Sequence, residues 1–586
     1  MNPEEFRTAG HELIDWIADY RTRIPDLPVQ AQVTPGEVTD ALPSTPPAEP
    51  VGIDSLLKDL DEIIVPGLMM VQHPRHTGWF PSNASLASVL GDIAASGIGA
   101  LGISWQSAPA LTELEEVVCD WMRRLTGLSE GWKGVIQDTA STGCLVALLA
   151  ARERAADYVS ERGGMQSLPA PLTVYASEHA HSAIPKAALL AGFGRDNIRS
   201  IPTGSSFALD TALLRAAIEK DVHEGRVPAA IVVSLGTTAT TAFDPLAEIL
   251  EIAAGYGIWV HVDAAMAGSA LLLPEYRWIV EGIEGFTTPD GVVVPPADSL
   301  GWNPHKWMGT ILDTSLLYVR EPERLVRVMS TNPSFLRNAV PGERVATEYR
   351  DWGIPLGRRF RALKLWFHLR LDGVAAIQDR LRRDLANAHR LAALVSAEPG
   401  WTVVAPVQLQ TVCVRHEPLV ASQMVDAGGL RSTAGPGTMA GSDSMAGLDS
   451  MAGPNSMTGS DAVAGPDAVS EPSTVGEPST VGEPSTVGEP STVGEPSTVG
   501  EPSTVGEPRN LEGRPLSGEA LDAHTLAWAD ALNRSGVGTV TPAVVGGRWM
   551  VRISIGVETT EWPDVEAVWA AARKLAAERA VSLSAG

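Results

Sequence analysis

The sequence predicts an α/β protein: a mostly parallel sheet with helices on both faces, followed by a smaller α+β unit. Two observations carry this. Between about residues 80 and 320, short β-rich runs alternate with longer helical patterns: LTVYAS (172–177), AIVVSLGTT (230–238), WVHVDAAMAG (259–268) and SLLYVR (315–320), against helical stretches such as CLVALLAARERAADYV (144–159). Alternation of this kind belongs to βαβ units and parallel sheets, whose sites form outside the carboxyl ends of the strands. The second observation is a change of character after RRFRALKLWFHLRLDG, where a smaller unit begins near 375 and resumes near 510.

Taken from the start, Phe6, Leu13, Ile14, Ile17 and Tyr20 recur at helical spacing with acids between them, so an amphipathic helix opens the chain. The Pro-rich stretch 25–50 that follows is expected to run extended over a surface. These segments form an N-terminal arm (1–75), followed by a large domain (76–374). A small domain follows, made of 375–420 and 510–580 and interrupted by an insertion at 421–509. In that insertion EPSTVG occurs six times in tandem from 471 to 506, and six looser hexads precede it in register from 435. The twelve hexads hold ten acids and no Lys or Arg. Gly, Pro, Ser and one acid per repeat bury too little apolar surface to repay chain entropy, so disorder without chemistry is expected.

At 586 residues, a large enzyme of two or three structural units is affordable. The formal charge of -26 excludes the basic face that nucleic acid or an anionic membrane would need. Small-molecule and protein partners remain. Three scattered cysteines, Cys119, Cys144 and Cys413, make neither a disulfide framework nor a metal spacing, so no metal site is expected. The acidic N-terminus lacks a signal-peptide pattern and no uncharged apolar run reaches membrane-spanning length; the expected location is cytoplasmic.

Four features carry candidate chemistry, and each has an ordinary reading beside it. In DSLGWNPHKWMG, Lys306 lies between Trp302 and Trp307. It is either a lysine whose stem covers apolar groups while its amine reaches water, or a buried amine available as a Schiff-base former. In HVDAAMAG, Asp263 ends a buried strand and is followed by small residues. It is a helix cap or turn former, or a carboxylate for a protonated heterocycle nitrogen. The turn DTASTG runs straight into a helix, where free amides and the hydroxyls of Thr139, Ser141 and Thr142 cap the helix or hold a phosphate. In SEHAHSAIPKA, His181 stacks on a ring or satisfies a core hydrogen bond. Phosphate turn, histidine, carboxylate and lysine in this order suit a pyridoxal-phosphate enzyme.

The longer motifs SAPALTELE (107–115), TAS, AHS, LGTT (235–238), HVDAA, NPHKW and IPLGRRFRALKLWF (354–367) closely resemble the group II pyridoxal-phosphate-dependent amino-acid decarboxylases, the aromatic-L-amino-acid decarboxylase group. The resemblance covers about 1–415 and 510–580. It implies a type I pyridoxal-phosphate (aspartate-aminotransferase-like) fold, the cofactor pyridoxal 5'-phosphate, and a homodimer with the arm clasping its partner. It also implies site residues. Lys306 would form the Schiff base and Asp263 would keep the pyridine nitrogen protonated. His181 would stack on the ring, while Ala140, Ser141, Asn303 and His305 would hold the phosphate. Thr238, His261 and Ala265 would line the cofactor. WFPSNAS (79–85) matches the family's substrate loop, so Trp79, Phe80 and Pro81 would wall a pocket for a large, aromatic amino-acid substrate.

One residue departs from the family's pattern. Phe335, in STNPSFLRN, stands where the decarboxylases usually carry a Tyr whose hydroxyl protonates the substrate carbon. Relatives with Phe there look like aldehyde synthases, in which dioxygen intercepts the carbanion. The expected reaction is decarboxylation to an amine, with His181 as the remaining proton donor and aldehyde synthesis as the alternative. An aminotransferase would share Asp263 and Lys306 but not the flanking motifs, and a non-catalytic scaffold would have no need of the intact cofactor residues.

Overall fold

The computed structural model describes residues 1–331, 346–418 and 517–583, with side chains as far as 580. Phe335 and the hexad tract lie outside the described residues.

Helix α1 (Pro3–Arg23) begins in a capping box: the Asn2 side chain accepts the Glu5 amide while the Glu5 carboxylate takes the Asn2 amide. It buries none of its residues, and Phe6 is 65 % exposed. The Pro-rich stretch differs from its expectation at two places, a 3-10 turn at its start (Ile24–Asp26) and a short helix α2 (Glu37–Ala41). Pro35 and Pro43 bracket the proline-free GEVTDAL, and Gly36 at φ 105° turns the chain into it. Two more helices, α3 (Ile53–Asp59) and α4 (Leu86–Ile98), lead to α5 (Pro109–Leu125).

Strand β1 (Lys133–Gln137) then opens the large sheet, followed by α6 (Ala140–Ala155), β2 (Leu172–Ser177), α7 (Ala183–Leu190), β3 (Ile198–Ile201), α8 (Thr211–His223) and β4 (Val227–Ser234). After them come α9 (Leu246–Tyr256), β5 (Trp259–Asp263), the two-residue strands β6 (Phe286–Thr287) and β7 (Val293–Val294), β8 (Ser299–Trp302) and β9 (Ser315–Val319). The seven-stranded order is β1-β9-β8-β5-β4-β2-β3, and only β9 runs against its neighbours. Alternate residues feed two cores: Val135, Val174, Val232 and Leu317 pack on one face, Ile136, Tyr175, Ile231 and Leu316 on the other. Both faces are covered, as a parallel sheet requires. This arrangement agrees with the type I pyridoxal-phosphate fold expected from the sequence.

Two expected boundaries move. Helix α6 stops at Ala155, short of 159, because Asp157 and Tyr158 turn to φ 50° and 54°. The turn is held by the buried Glu153, whose carboxylate accepts both the amide and the hydroxyl of Ser160. Strand β4 ends at Ser234, short of 238, because Gly236 (φ 81°) swings the chain away and the buried Asp244 takes the Ser234 amide.

After α10 (Pro322–Met329) and α11 (Ala362–Leu371), the long helix α12 (Val374–Ala397) leads into an antiparallel sheet of order β10-β11-β13-β12. Its strands are β10 (Trp401–Val403), β11 (Thr411–His416), β12 (Thr541–Val545) and β13 (Arg548–Ser554). Helices α13 (Gly518–Arg534) and α14 (Trp562–Leu583) pack with α12 on one face around Trp401, Trp528 and Trp569. Among the described residues no helix is long and apolar enough to cross a membrane.

Candidate active site

The carboxyl ends of β1, β2, β4, β5 and β8 open on one cavity of about 220 Å³. Each strand end contributes because the chain leaves the sheet there by a turn of small or polar residues. After β1, Thr139 caps α6 by accepting the Thr142 amide at 3.5 Å. The first-turn amides at Ala140 and Ser141 have no intrahelical partner and sit at the positive end of a sixteen-residue helix. After β4, Gly236 lets Thr237 and Thr238 curl into the cavity wall, where an added Cβ would stand 3.0 Å from that of Ala267.

Asp263 is the last residue of β5. Its Oδ1 accepts the Ala265 amide at 3.0 Å, which fixes the carboxylate at the rim, and the Asn303 amide binds the Ala265 carbonyl at 3.0 Å. Lys306 follows β8 in a single irregular turn, Pro304–Met308, in which its own backbone is non-helical (φ -97°, ψ -116°). Both residues line the cavity. Burial pushes the Lys306 ammonium below the ordinary lysine value. Asp263 opposes that shift, and the Arg552 guanidinium adds to it.

Of the residues expected at the site, Ala140, Ser141, His181, Thr238, Asp263, Ala265, Asn303, His305, Lys306 and Phe80 line this one cavity. Three do not. His261 lies two residues before Asp263 on the same face of β5, a layer deeper, where it is buried and bonds Ser299 Oγ at 2.9 Å. Trp79 is 55 % exposed, edge-on to His76. Pro81 is turned toward the small sheet, with its ring 2.5 Å from where a Gly556 Cβ would stand.

Two histidines present defined tautomers. Nδ1 of His305 accepts the Thr314 amide and Nδ1 of His181 accepts the Ala183 amide, both at 3.0 Å, so in the neutral rings the proton sits on Nε2. Burial, then Lys306, lowers His305 to about 4, and the same causes in the same order lower His181. His261 is lowered to about 4 by burial.

These residues fit pyridoxal 5'-phosphate. The helix terminus suits its dianion, the Asp263 carboxylate a protonated ring nitrogen, and the lowered Lys306 amine an aldehyde. Ser234 Oγ and Asn303 Oδ1 are buried without a protein partner in the cavity wall, as groups that bind a ligand would be. Among the described residues no cluster of three or more His, Cys, Asp or Glu could hold a metal ion.

Arg552, on β13, was not among the expected residues. Its guanidinium is 3 % exposed and lies 4.5 Å from the centroid of the Phe80 ring, over which Lys306 Nζ also stands at 5.6 Å. Its Nε and Nη2 have no partner. The available signal was a cation in the middle of the strand RWMVRIS, whose neighbours Val551 and Ile553 are core residues.

Residues 35–417 match the model of the pyridoxal-dependent decarboxylase conserved domain. The chain is 41 % identical over 427 residues to a phenylacetaldehyde synthase of Arabidopsis thaliana, covering 72 % of this chain and 84 % of that protein. It is 39 % identical over 436 residues to tyrosine/DOPA decarboxylase 2 of Papaver somniferum, with 73 % and 79 % covered. Among solved structures, TDC from Oryza sativa with PLP and tryptamine superposes with a TM-score of 0.77 at 30 % identity, covering 99 % of each chain.

Proposed function

The chain belongs to the pyridoxal-dependent decarboxylase family, and from that premise we propose that its substrate is an aromatic L-amino acid, which it converts to the amine and carbon dioxide. It is a carboxy-lyase with pyridoxal 5'-phosphate as cofactor. When bound, the cofactor supplies an electron sink for the pair left on the α-carbon as carbon dioxide departs. The observation that carries the reading is the meeting of Lys306, Asp263 and the α6 terminus in one cavity.

In this reading the amides of Ala140 and Ser141 hold the phosphate with Asn303 and His305. Nε2–H of His305 donates, because its Nδ1 is already taken. Asp263 holds a proton on the ring nitrogen, and Lys306 Nζ holds the aldehyde carbon. Thr238 and Ala265 wall the ring. Phe80 forms the apolar side of the substrate pocket, and the unpartnered donors of Arg552 offer a counter-charge for the amino-acid carboxylate. His181 keeps its proton on Nε2 and is the group that returns it to the α-carbon. The aromatic class is supported by Phe80 and by relatives named for tyrosine, DOPA and phenylacetaldehyde.

Phe335 and the resemblance to a phenylacetaldehyde synthase favour a second reading. There the carbanion is not protonated but reacts with dioxygen, so substrate, O2 and water yield aldehyde, carbon dioxide, ammonia and hydrogen peroxide. Incubating holoprotein with Phe, Tyr, Trp and DOPA while following carbon dioxide, amine, aldehyde and peroxide separates the two. Amine matching carbon dioxide without peroxide supports the first; oxygen uptake matching carbon dioxide supports the second, and in that case Phe335→Tyr shifts product toward amine. No carbon dioxide from any aromatic amino acid would remove the substrate assignment.

We further propose a cytoplasmic homodimer in which α1 and α4 are covered by the partner. Their apolar side chains Phe6, Leu13, Ile14, Leu86, Leu90 and Ile93 are exposed in the single chain. Light scattering checks this, and a mass of one chain would refute it. The hexads take no part in the reaction in this proposal: deleting 435–506 leaves kcat, KM and the thermal midpoint nearly unchanged, since loop-closure entropy varies slowly with length. A tenfold loss of activity on deletion would contradict it.

A further inference from the structure

The turn that carries Lys306 is held from outside the cavity. A one-turn helix has no amide farther along to satisfy its last carbonyls. Here one atom does so: Arg380 Nη2, on α12, donates to the carbonyls of Trp307 at 2.7 Å and Met308 at 2.6 Å. One helical turn further, Asp384 is fully buried and its Oδ2 accepts the indole Nε1–H of Trp307 at 2.9 Å. The two α12 side chains face each other, with Arg380 Nη1 3.6 Å from the same Oδ2.

The approach leaves no slack. Gly309 closes the turn at φ 109°, and a Cβ there would stand 3.2 Å from Arg380 Nη2 and 3.4 Å from His368 Cε1. Thr310, next along, is held by His368 Nδ1 at 2.8 Å. On the opposite side the Lys306 carbonyl meets Asn83 Nδ2 at 3.4 Å. Trp307 itself is fully buried, so its indole cannot swing to satisfy Asp384 in another pose. The carbonyls of Lys306, Trp307 and Met308 and the Trp307 indole are thus held from behind the turn, while the Lys306 side chain enters the cavity beside that of His305.

We propose that Arg380 and Asp384 are positioning residues for Lys306: together they clamp the turn that follows it and so set the direction in which its amine enters the cofactor cavity. The inference rests on the reading of Lys306 as the amine that holds the cofactor. It assigns a role in the site to the helix that leads into the small sheet, since a shift of α12 moves the Lys306 turn with it. Arg380 is not part of the cavity lining. Its contribution is to orientation, where a displacement of about 1 Å far from the chemistry can lower a rate by about two orders of magnitude.

The test follows capture of pyridoxal phosphate by cofactor-stripped protein. Full-length chain is mixed with pyridoxal phosphate and quenched with borohydride at timed intervals. The reduced adduct is located by peptide mapping, and thermal midpoints are recorded alongside. In the unsubstituted protein the adduct forms on Lys306. Arg380→Met slows its formation about tenfold or more, Arg380→Lys recovers part of the rate, and Trp307→Phe, which keeps an aromatic side chain but removes the Asp384 bond, slows it less. Adduct formation at the unsubstituted rate in both Arg380→Met and Trp307→Phe, whatever their midpoints, would overturn the clamp and leave Arg380 a stabilising residue only. Should Arg380→Met fail to fold, Trp307→Phe decides in the same way. An adduct on a different lysine in the unsubstituted protein overturns the reading of Lys306 itself, and the clamp with it.

Discussion

Lys306→Ala leaves a folded chain that binds pyridoxal phosphate without a covalent bond and turns substrate over about 10³-fold or more slowly. The reason is specific to this amine. Burial lowers its proton affinity, so a larger share is the free base that attacks an aldehyde, and among the described residues no other lysine lines the cavity. The anchors that remain, the α6 terminus and Asp263, are untouched by the substitution, so the cofactor stays associated in gel filtration while its covalent signature disappears. The thermal midpoint moves by no more than a few degrees, because the lost group was a partly desolvated cation rather than a core side chain. Full turnover with an intact borohydride-reducible adduct in this variant would take Lys306 out of the reaction.

Asp263→Asn lowers turnover by about two to four orders of magnitude, the scale on which a positioned proton-holding group acts. An amide is isosteric and still accepts the Ala265 amide, but it cannot balance a positive charge on a ring nitrogen. The substitution also has a sign that can be read separately. The Asp263 carboxylate raises the proton affinity of both Lys306 and His181. Removing it therefore shifts both further below their ordinary values, and the pH midpoint of adduct formation at Lys306 moves down, not up. Near-normal turnover, or a midpoint that rises, would show that Asp263 does not serve the site in this way.

The cavity was legible because four short motifs happen to fall where strands end. HVDAA and NPHKW carry their chemistry on the last residue of a strand or in the turn beyond, and small neighbours announce it. Depth was less legible. A period of two places His261 and Asp263 on one face of β5 but cannot say that only the second reaches the open end. Residues from distant segments were illegible for a different reason. Arg552 stands in a strand about 250 residues after Lys306, and Arg380 and Asp384 lie in the charge-rich QDRLRRDLANAHR, where helical periodicity does not say which charge turns inward. Helix α6 was expected to run to 159 because the helical pattern CLVALLAARERAADYV extends that far. Its stop depends on the buried Glu153 pulling Ser160 back, a tertiary contact invisible in a window of neighbours.

Cys144 lines the cavity one turn into α6, and burial followed by Asp263 holds its thiol far above the ordinary value. Oxidation of cysteine proceeds through the thiolate, so this sulfur is kept in its unreactive form at the place where peroxide would arise if dioxygen entered the reaction. Burial, with the Asp263 carboxylate as a second cause, thus gives this wall sulfur little thiolate character.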